Sequence, residues 1–180
     1  MLVFTEGVVT EKQYIEGLNQ ELRGAGVSVS VKTVGVGRDP RAVVTKCVER
    51  RRADARSGKE YDRCFCVVDV DDHATLDDAV KLAAAEGIEL IVSRLKFEVW
   101  LLWHVVESGV RGTSRHLDEL AATHEVTKGK NLVVRFPFSN YPQAVRCARK
   151  ADPRFASGRV GPDPSSAMPV LVEAMGGYLG

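Results

Sequence analysis

Long apolar runs are missing from this 180-residue sequence: no stretch approaches the roughly 20 apolar residues that a membrane-spanning helix needs. The N-terminus also lacks a charged lead followed by a removable hydrophobic segment, so a soluble cytoplasmic protein with no membrane partner is expected. Cysteine is sparse. Cys47, Cys64, Cys66 and Cys147 are too few and too scattered for a disulfide framework. Cys64 and Cys66 share one face of an apolar strand, which reads as buried thiols rather than ligands. An excess of one charge sign is missing as well: the formal net charge is +1, so no global basic field advertises a polyanionic partner. Any affinity for nucleic acid must be local. Basic residues do cluster, as Arg50, Arg51, Arg52, Arg56 and Lys59, and as Arg146, Arg149, Lys150 and Arg154, although such runs are commonly solvated helix faces.

What is present is enough apolar residue for one sizeable core, 44% of the chain. Leu2-Val3-Phe4 reads as a buried strand that stops at Thr5-Glu6-Gly7. Thr10 with Gln13 predicts a helix cap, Tyr14, Ile15, Leu18 and Leu22 fall on one face, and Gly24 is placed to stop that helix. Residues 27 to 34 alternate as a half-exposed strand, and Asp39-Pro40 opens a helix running to about Arg56. Cys64 to Val70, apolar except for Asp69, has the pattern of a central parallel strand covered on both faces. Thr75 with Asp78 predicts a third helix, closed by Gly87, and Ile88 to Val92 a fourth strand. The alternation predicts an α/β fold: a doubly wound, mainly parallel sheet of about four strands with helices on both faces. Phe97 to Val106 reads as one buried helix, with further helices around Leu117 to Ala121, Ala144 to Lys150 and Val170 to Met175, and an irregular basic and aromatic stretch at 129 to 142. The expected organisation is a single domain: an α/β metal-binding core over residues 1–110 and a mostly helical extension over 111–180 packed on it.

Two strands end in acids. In an open parallel sheet the functional crevice lies beyond the carboxyl ends of the strands, where the connection order reverses. Glu6 follows the first strand, and Asp69-Val70-Asp71-Asp72 closes the third. Spacing by two puts the carboxylates of Asp69 and Asp71 on one side of an extended chain. Burying an uncompensated carboxylate costs several kcal/mol, roughly, so Asp69 calls for a cation or a dense set of hydrogen bonds. Structural capping is the alternative. Oxygen-only ligands favour Mg²⁺ or Mn²⁺ over zinc. Glu6 would complete the metal shell or act as general base, Ser93 at the end of strand four could contact metal or phosphate, and His73 lies in the adjoining loop.

These segments resemble a known family. Phe4-Thr5-Glu6-Gly7-Val8-Val9-Thr10-Glu11 looks like the E-G-x-x-T-E opening of RloB-like proteins, and Phe65 to His73 is similar to their D-V-D-D-H block. Gly87 to Ser93, then Phe97-Glu98-Val99-Trp100-Leu101-Leu102-Trp103-His104, resemble the family's G-I-x-x-A-x-S and F-E-L-W-L-L-x-H sequences, and Pro164-Ser165-Ser166 its C-terminal N-P-S-[ST]. The resemblance implies a Toprim-like fold and Mg²⁺-dependent cleavage of DNA or RNA, transfer RNA included. It implies an AAA or ABC-type ATPase partner in a bacterial anti-phage or restriction locus, and admits a homodimer. Carried over, the Toprim glutamate is Glu6 and the aspartates are Asp69 and Asp71. Glu11 joins as a metal ligand, and Glu98 as a catalytic or second-metal carboxylate, unless each serves only its helix's first turn. Where the family usually has N-P-C, this chain has Arg94-Leu95-Lys96, and Arg94 and Lys96 become candidate phosphate contacts. Lys128 to Tyr141 is either a stacking and phosphate-contacting surface or ordinary core aromatics.

Two rivals stand beside the nuclease. A haloacid-dehalogenase-like phosphatase would use Asp69 as nucleophile, but it expects Ser or Thr where His73 stands and gives Glu6 no task. A non-catalytic subunit would use the acidic crevice to dock an ATPase.

Overall fold

A computed structural model describes residues 1–33, 39–70 and 75–178 of the chain. Four strands, β1 (Leu2–Thr5), β2 (Ser30–Thr33), β3 (Cys64–Val70) and β4 (Glu89–Arg94), form one parallel sheet in the order β2-β1-β3-β4. Helices α1 (Thr10–Glu21), α2 (Pro40–Arg56) and α3 (Leu76–Ala85) connect them, so the expected doubly wound α/β sheet is observed.

Side-chain alternation along the strands divides the core in two. Val3, Phe65, Val67 and Ile91 meet α1 and the C-terminal helices on one face. Leu2, Phe4, Cys64, Cys66, Val68, Leu90 and Val92 meet α2 and α3 on the other. Both faces being covered explains why β3 is apolar nearly throughout. All four cysteines are buried free thiols. Asp69 has the parity of Phe65 and Val67, which places it on the α1 side of the sheet.

After β4 comes α4, only Glu98–Leu102, rather than a helix to Val106, because the chain leaves helical geometry in turns at Trp103 to Val105. Val99, Trp100, Leu101 and Leu102 are nonetheless fully enclosed. At about 1.5–3 kcal/mol per buried large apolar side chain, this short helix is a main anchor of the first core. Helices α5 (Ser114–Thr123), α6 (Tyr141–Ala151) and α7 (Met168–Ala174) contribute to the same core. The stretch expected to be irregular, 129 to 142, holds the second strand of a small antiparallel hairpin, β5 (Thr127–Lys128) with β6 (Asn131–Leu132), and a short 3₁₀ turn before α6. Residues 157–167 run along the outer edge of β4, with Gly158 N–H on Leu90 O at 2.8 Å, Ala167 N–H on Val92 O at 3.0 Å and Arg94 N–H on Ser165 O at 2.8 Å. That segment covers an edge that would otherwise offer unpaired backbone groups.

The expected helix starts hold and two expected caps do not. Asp39 caps α2, accepting from Arg41 N–H at 3.0 Å with Pro40 in the first turn. Thr10 and Thr75 make no side-chain cap bonds; their hydroxyls donate instead to Lys130 O at 2.7 Å and to Asp39 Oδ1 at 2.7 Å. Helix α1 ends at Glu21 with Leu22 as its C-cap, ahead of Gly24, and Gly26 (φ 71°) closes the 3₁₀ turn that follows. Among the described residues no helix is long and apolar enough to cross a membrane.

Candidate active site

The sheet order decides where the crevice lies. From β1 the chain steps outward to β2, then crosses back to β3 and continues to β4, so the connections reverse between β1 and β3. Glu6 and Asp69 stand at the carboxyl ends of those two adjacent strands. Glu6 N–H donates to Val67 O at 3.1 Å, extending the ladder by one step, and its Oε2 accepts from Asp69 N–H at 3.3 Å. The strand that carries Glu6 is thereby stitched to the one that carries Asp69.

Two further carboxylates join them. Glu11 stands in the first turn of α1 and folds back over the β1–α1 turn; a Cβ on Gly7 would lie 1.8 Å from its Oε2. A side chain at position 7 would therefore have to displace that carboxylate. Glu98 opens α4. Burial first, then repulsion from Glu98 and Glu6, pushes Glu11 from 4.5 up to about 7. Asp69 is raised well above the usual carboxylate range by burial and by Glu11, Glu98 and Glu6, with a backbone hydrogen bond from Phe97 pulling the other way. Burial also raises Glu98, partly offset by Lys96. Four acids from separate segments therefore share one electrostatic environment. The set offers only hard oxygen donors, and its charged form is disfavoured by its surroundings; both properties fit an Mg²⁺ or Mn²⁺ ion. Among the described residues no group of three His, Cys, Asp or Glu side chains is arranged to hold a metal ion. Asp71 and His73, expected as metal ligand and substrate contact, lie outside the described residues.

The profile of a family described as RloB-like protein matches residues 1–175. The chain belongs to that family. No curated protein and no solved structure matches it.

The remaining candidates of this RloB-like chain fall in three kinds of surroundings. Ser93, opposite Asp69 in the β3–β4 register, is fully enclosed, and its hydroxyl shares a 2.9 Å hydrogen bond with Ser166. In this arrangement it ties the C-terminal segment to the strand end. Lys96 Nζ is held by Asp118 at 2.5 Å. Arg94 is half-buried, and its guanidinium makes no hydrogen bond or ion pair among the described residues. Between them Leu95 holds a left-handed backbone, φ 67°, which costs a non-glycine residue roughly 1–2 kcal/mol. A proline there would be locked near a φ of about −65° and could not adopt this turn.

Sequence reasoning did not reveal what supports the site from beneath. Tyr14 from α1 and His104 after α4 meet at 3.2 Å, and His104 Nδ1 lies 3.1 Å from Trp100 O. A carbonyl only accepts, so Nδ1 carries the proton and Nε2 accepts from the Tyr14 hydroxyl. Both side chains are fully buried, and burial drives His104 down to about 4. Phe136 and Phe138 pack on Tyr14 with ring centroids 5.7 and 5.8 Å away, so these aromatics belong to the core and not to a stacking surface. The F-E-L-W-L-L-x-H resemblance contained His104, but its partner Tyr14 lies 90 residues away, beyond any local signal.

Proposed function

We propose that the protein is a divalent-metal-dependent nuclease that hydrolyses nucleic-acid phosphodiester bonds. The observation that carries this reading is the convergence of Glu6, Glu11, Asp69 and Glu98 at the reversal between β1 and β3, in a setting that penalises the negative charge of Glu11, Asp69 and Glu98. Glu6, Asp69 and Glu11, with Asp71, would hold Mg²⁺ or Mn²⁺. Such an ion, when bound, neutralises phosphoryl oxygens and acidifies water. Glu6 fixes the relative position of the two strand ends through Asp69 N–H. Glu98 supplies a further carboxylate, able to orient or deprotonate a water beside the scissile phosphate. Arg94, with no acid partner among the described residues, supplies positive charge next to the same strand end for a phosphate oxygen. The family setting adds an ATPase partner of the AAA or ABC type, bacterial anti-phage or restriction defence, and a cytoplasmic location.

The deciding experiment incubates the purified chain, alone and with the ATPase encoded beside it, with plasmid DNA and total RNA in Mn²⁺. Cleavage that disappears in Asp69→Asn and Asp71→Asn, with folding and ATPase binding retained, is the expected result. Loss of ATPase binding instead would make the crevice a docking surface, and undiminished cleavage in both variants would refute the assignment.

A further inference from the structure

We propose that the β5–β6 hairpin is a phosphate-docking element that seats the nucleic-acid backbone beside the acidic crevice through Lys128, Lys130 and Arg135. The proposal rests on the nuclease reading and adds to it a surface that grips the substrate.

Three observations lead there. The first is position. Gly129, with φ 62°, makes the tight turn between the two strands, and the hairpin is strapped to the first turn of α1. Thr10 Oγ1 donates to Lys130 O at 2.7 Å, Gln13 Nε2 donates to Asn131 Oδ1 at 3.0 Å, and Leu132 N–H donates to Gln13 Oε1 at 2.9 Å. The residue after Thr10 is Glu11, so the hairpin tip stands against the turn that delivers a carboxylate to the site. These three hydrogen bonds with α1 fix it there, so little ordering is needed on binding.

The second observation is charge. Four of the basic residues singled out by the sequence are held by acids: Arg50 pairs with Asp54, Arg51 and Arg52 with Glu86, and Lys96 with Asp118. Lys128, Lys130 and Arg135 are exposed and their side chains make no hydrogen bond or ion pair among the described residues. Lys128 and Arg135 flank a cleft of about 450 Å³ between the hairpin and the end of α5, with Glu125 as the one acid in its lining. Unpaired cations on a hairpin tied to the first turn of α1 suit a ligand that is itself anionic.

The third is what the hairpin lacks. The neighbouring rings are turned inward: Phe136 is 5% exposed, and a Cβ on Gly17 would lie 2.1 Å from the Phe138 ring. Recognition by base stacking is therefore absent from this surface, and the contact is to phosphate through charge. Binding should then be salt-sensitive and tolerant of sequence.

The test is the combined variant Lys128→Gln, Lys130→Gln, Arg135→Gln, all exposed positions, with circular dichroism checking the fold. Fluorescence anisotropy against labelled duplex DNA, duplex RNA and single strands is measured from about 50 to 300 mM salt, and Mn²⁺ affinity by calorimetry. Wild type should bind with a steep salt dependence. The variant should bind about tenfold or more weakly, and the slope of log affinity against log salt should flatten by about 2–3, near 0.9 for each duplex phosphate that is no longer neutralised. Its Mn²⁺ affinity should be unchanged, and the charge-keeping variant Lys128→Arg, Lys130→Arg, Arg135→Lys should bind like wild type. Unchanged affinity and slope in the glutamine variant overturn the hairpin and leave the acidic site standing. Loss of Mn²⁺ affinity in that variant overturns it too, since the effect would then run through the crevice. A wild-type chain that binds none of the probes overturns both the hairpin and the nuclease.

Discussion

Replacing Glu11 by glutamine should stabilise the cation-free protein, increasingly so as pH rises. The folded chain holds the Glu11 carboxyl proton up to about 7, against 4.5 for an unperturbed glutamate. A group whose folded pKa is raised contributes stability that is fully present below the unfolded value and is lost as pH climbs through the folded one. A shift of that size corresponds to at most about 3 kcal/mol, and because the carboxylate is half-buried and water screens part of it, about 1–3 kcal/mol is the expected amplitude. Glutamine keeps the shape and the acceptor for the turn but cannot ionise, so it avoids the loss. In urea unfolding with a chelator present, the advantage of Glu11→Gln over wild type should be near zero at about pH 4 and reach its full value by about pH 8. Added Mn²⁺ should reverse the order: wild type gains about 2.7 kcal/mol at a hundredfold excess over its dissociation constant, and the variant gains less. A difference that stays flat across that pH range would refute the claim that burial and the neighbouring acids strain Glu11.

Two other perturbations follow from the same coordinates. Gly7→Ala should cut Mn²⁺ affinity much as Glu11→Gln does, because the new Cβ would sit 1.8 Å from the Glu11 carboxylate, whereas Gly24→Ala, with nothing within 4 Å, should leave calorimetric affinity unchanged. His104 has the opposite linkage to Glu11. Its folded pKa of about 4 lies below the unperturbed 6.5, so its contribution is present above pH 6.5 and fades as pH falls to 4, by about 3 kcal/mol. Urea unfolding of wild type and His104→Gln should show the wild-type advantage shrinking by that order between about pH 7 and pH 4, and a constant gap would exclude a neutral buried imidazole.

The sheet was legible because burial on two faces leaves a strong signature: β3 is apolar except where Asp69 emerges near its end, and Glu6 and Asp69 follow strands that prove adjacent. What stayed hidden depended on partners far along the chain. Thr10 and Thr75 have the residue type of helix caps, but their hydroxyls are turned toward tertiary acceptors, to which they donate at Lys130 and Asp39. The helix after Glu98 stops early although its residues stay buried, since burial of an all-apolar segment does not require helical phase. The hairpin escaped notice because its strands are two residues each; the glycine of Lys128-Gly129-Lys130 was its one local sign. The expected role of Asp71 falls on residues outside the described structure.

How the chain treats its other acids sharpens the case for a cation at the crevice. Asp54 is nearly buried, and it is held below the usual range by a hydrogen bond from Tyr61 at 2.5 Å and by Arg50 at 2.8 Å. Desolvation pushes Asp152 up, yet Arg159 brings it below the ordinary value. Glu86 takes two arginines. The sequence thus supplies a guanidinium to each of these structural carboxylates. At the strand ends it does otherwise: among the described residues neither Glu11 nor Asp69 has an ion pair, and the nearby Lys96 is engaged by Asp118. Packing alone gives no reason to gather four acids and leave Glu11, Asp69 and Glu98 raised, because one arginine at position 95 would have been a local change of the kind made elsewhere in this chain. Excess negative charge at the reversal of a parallel sheet is better explained as a demand for positive charge from outside. A small hard cation of the kind proposed above would meet that demand.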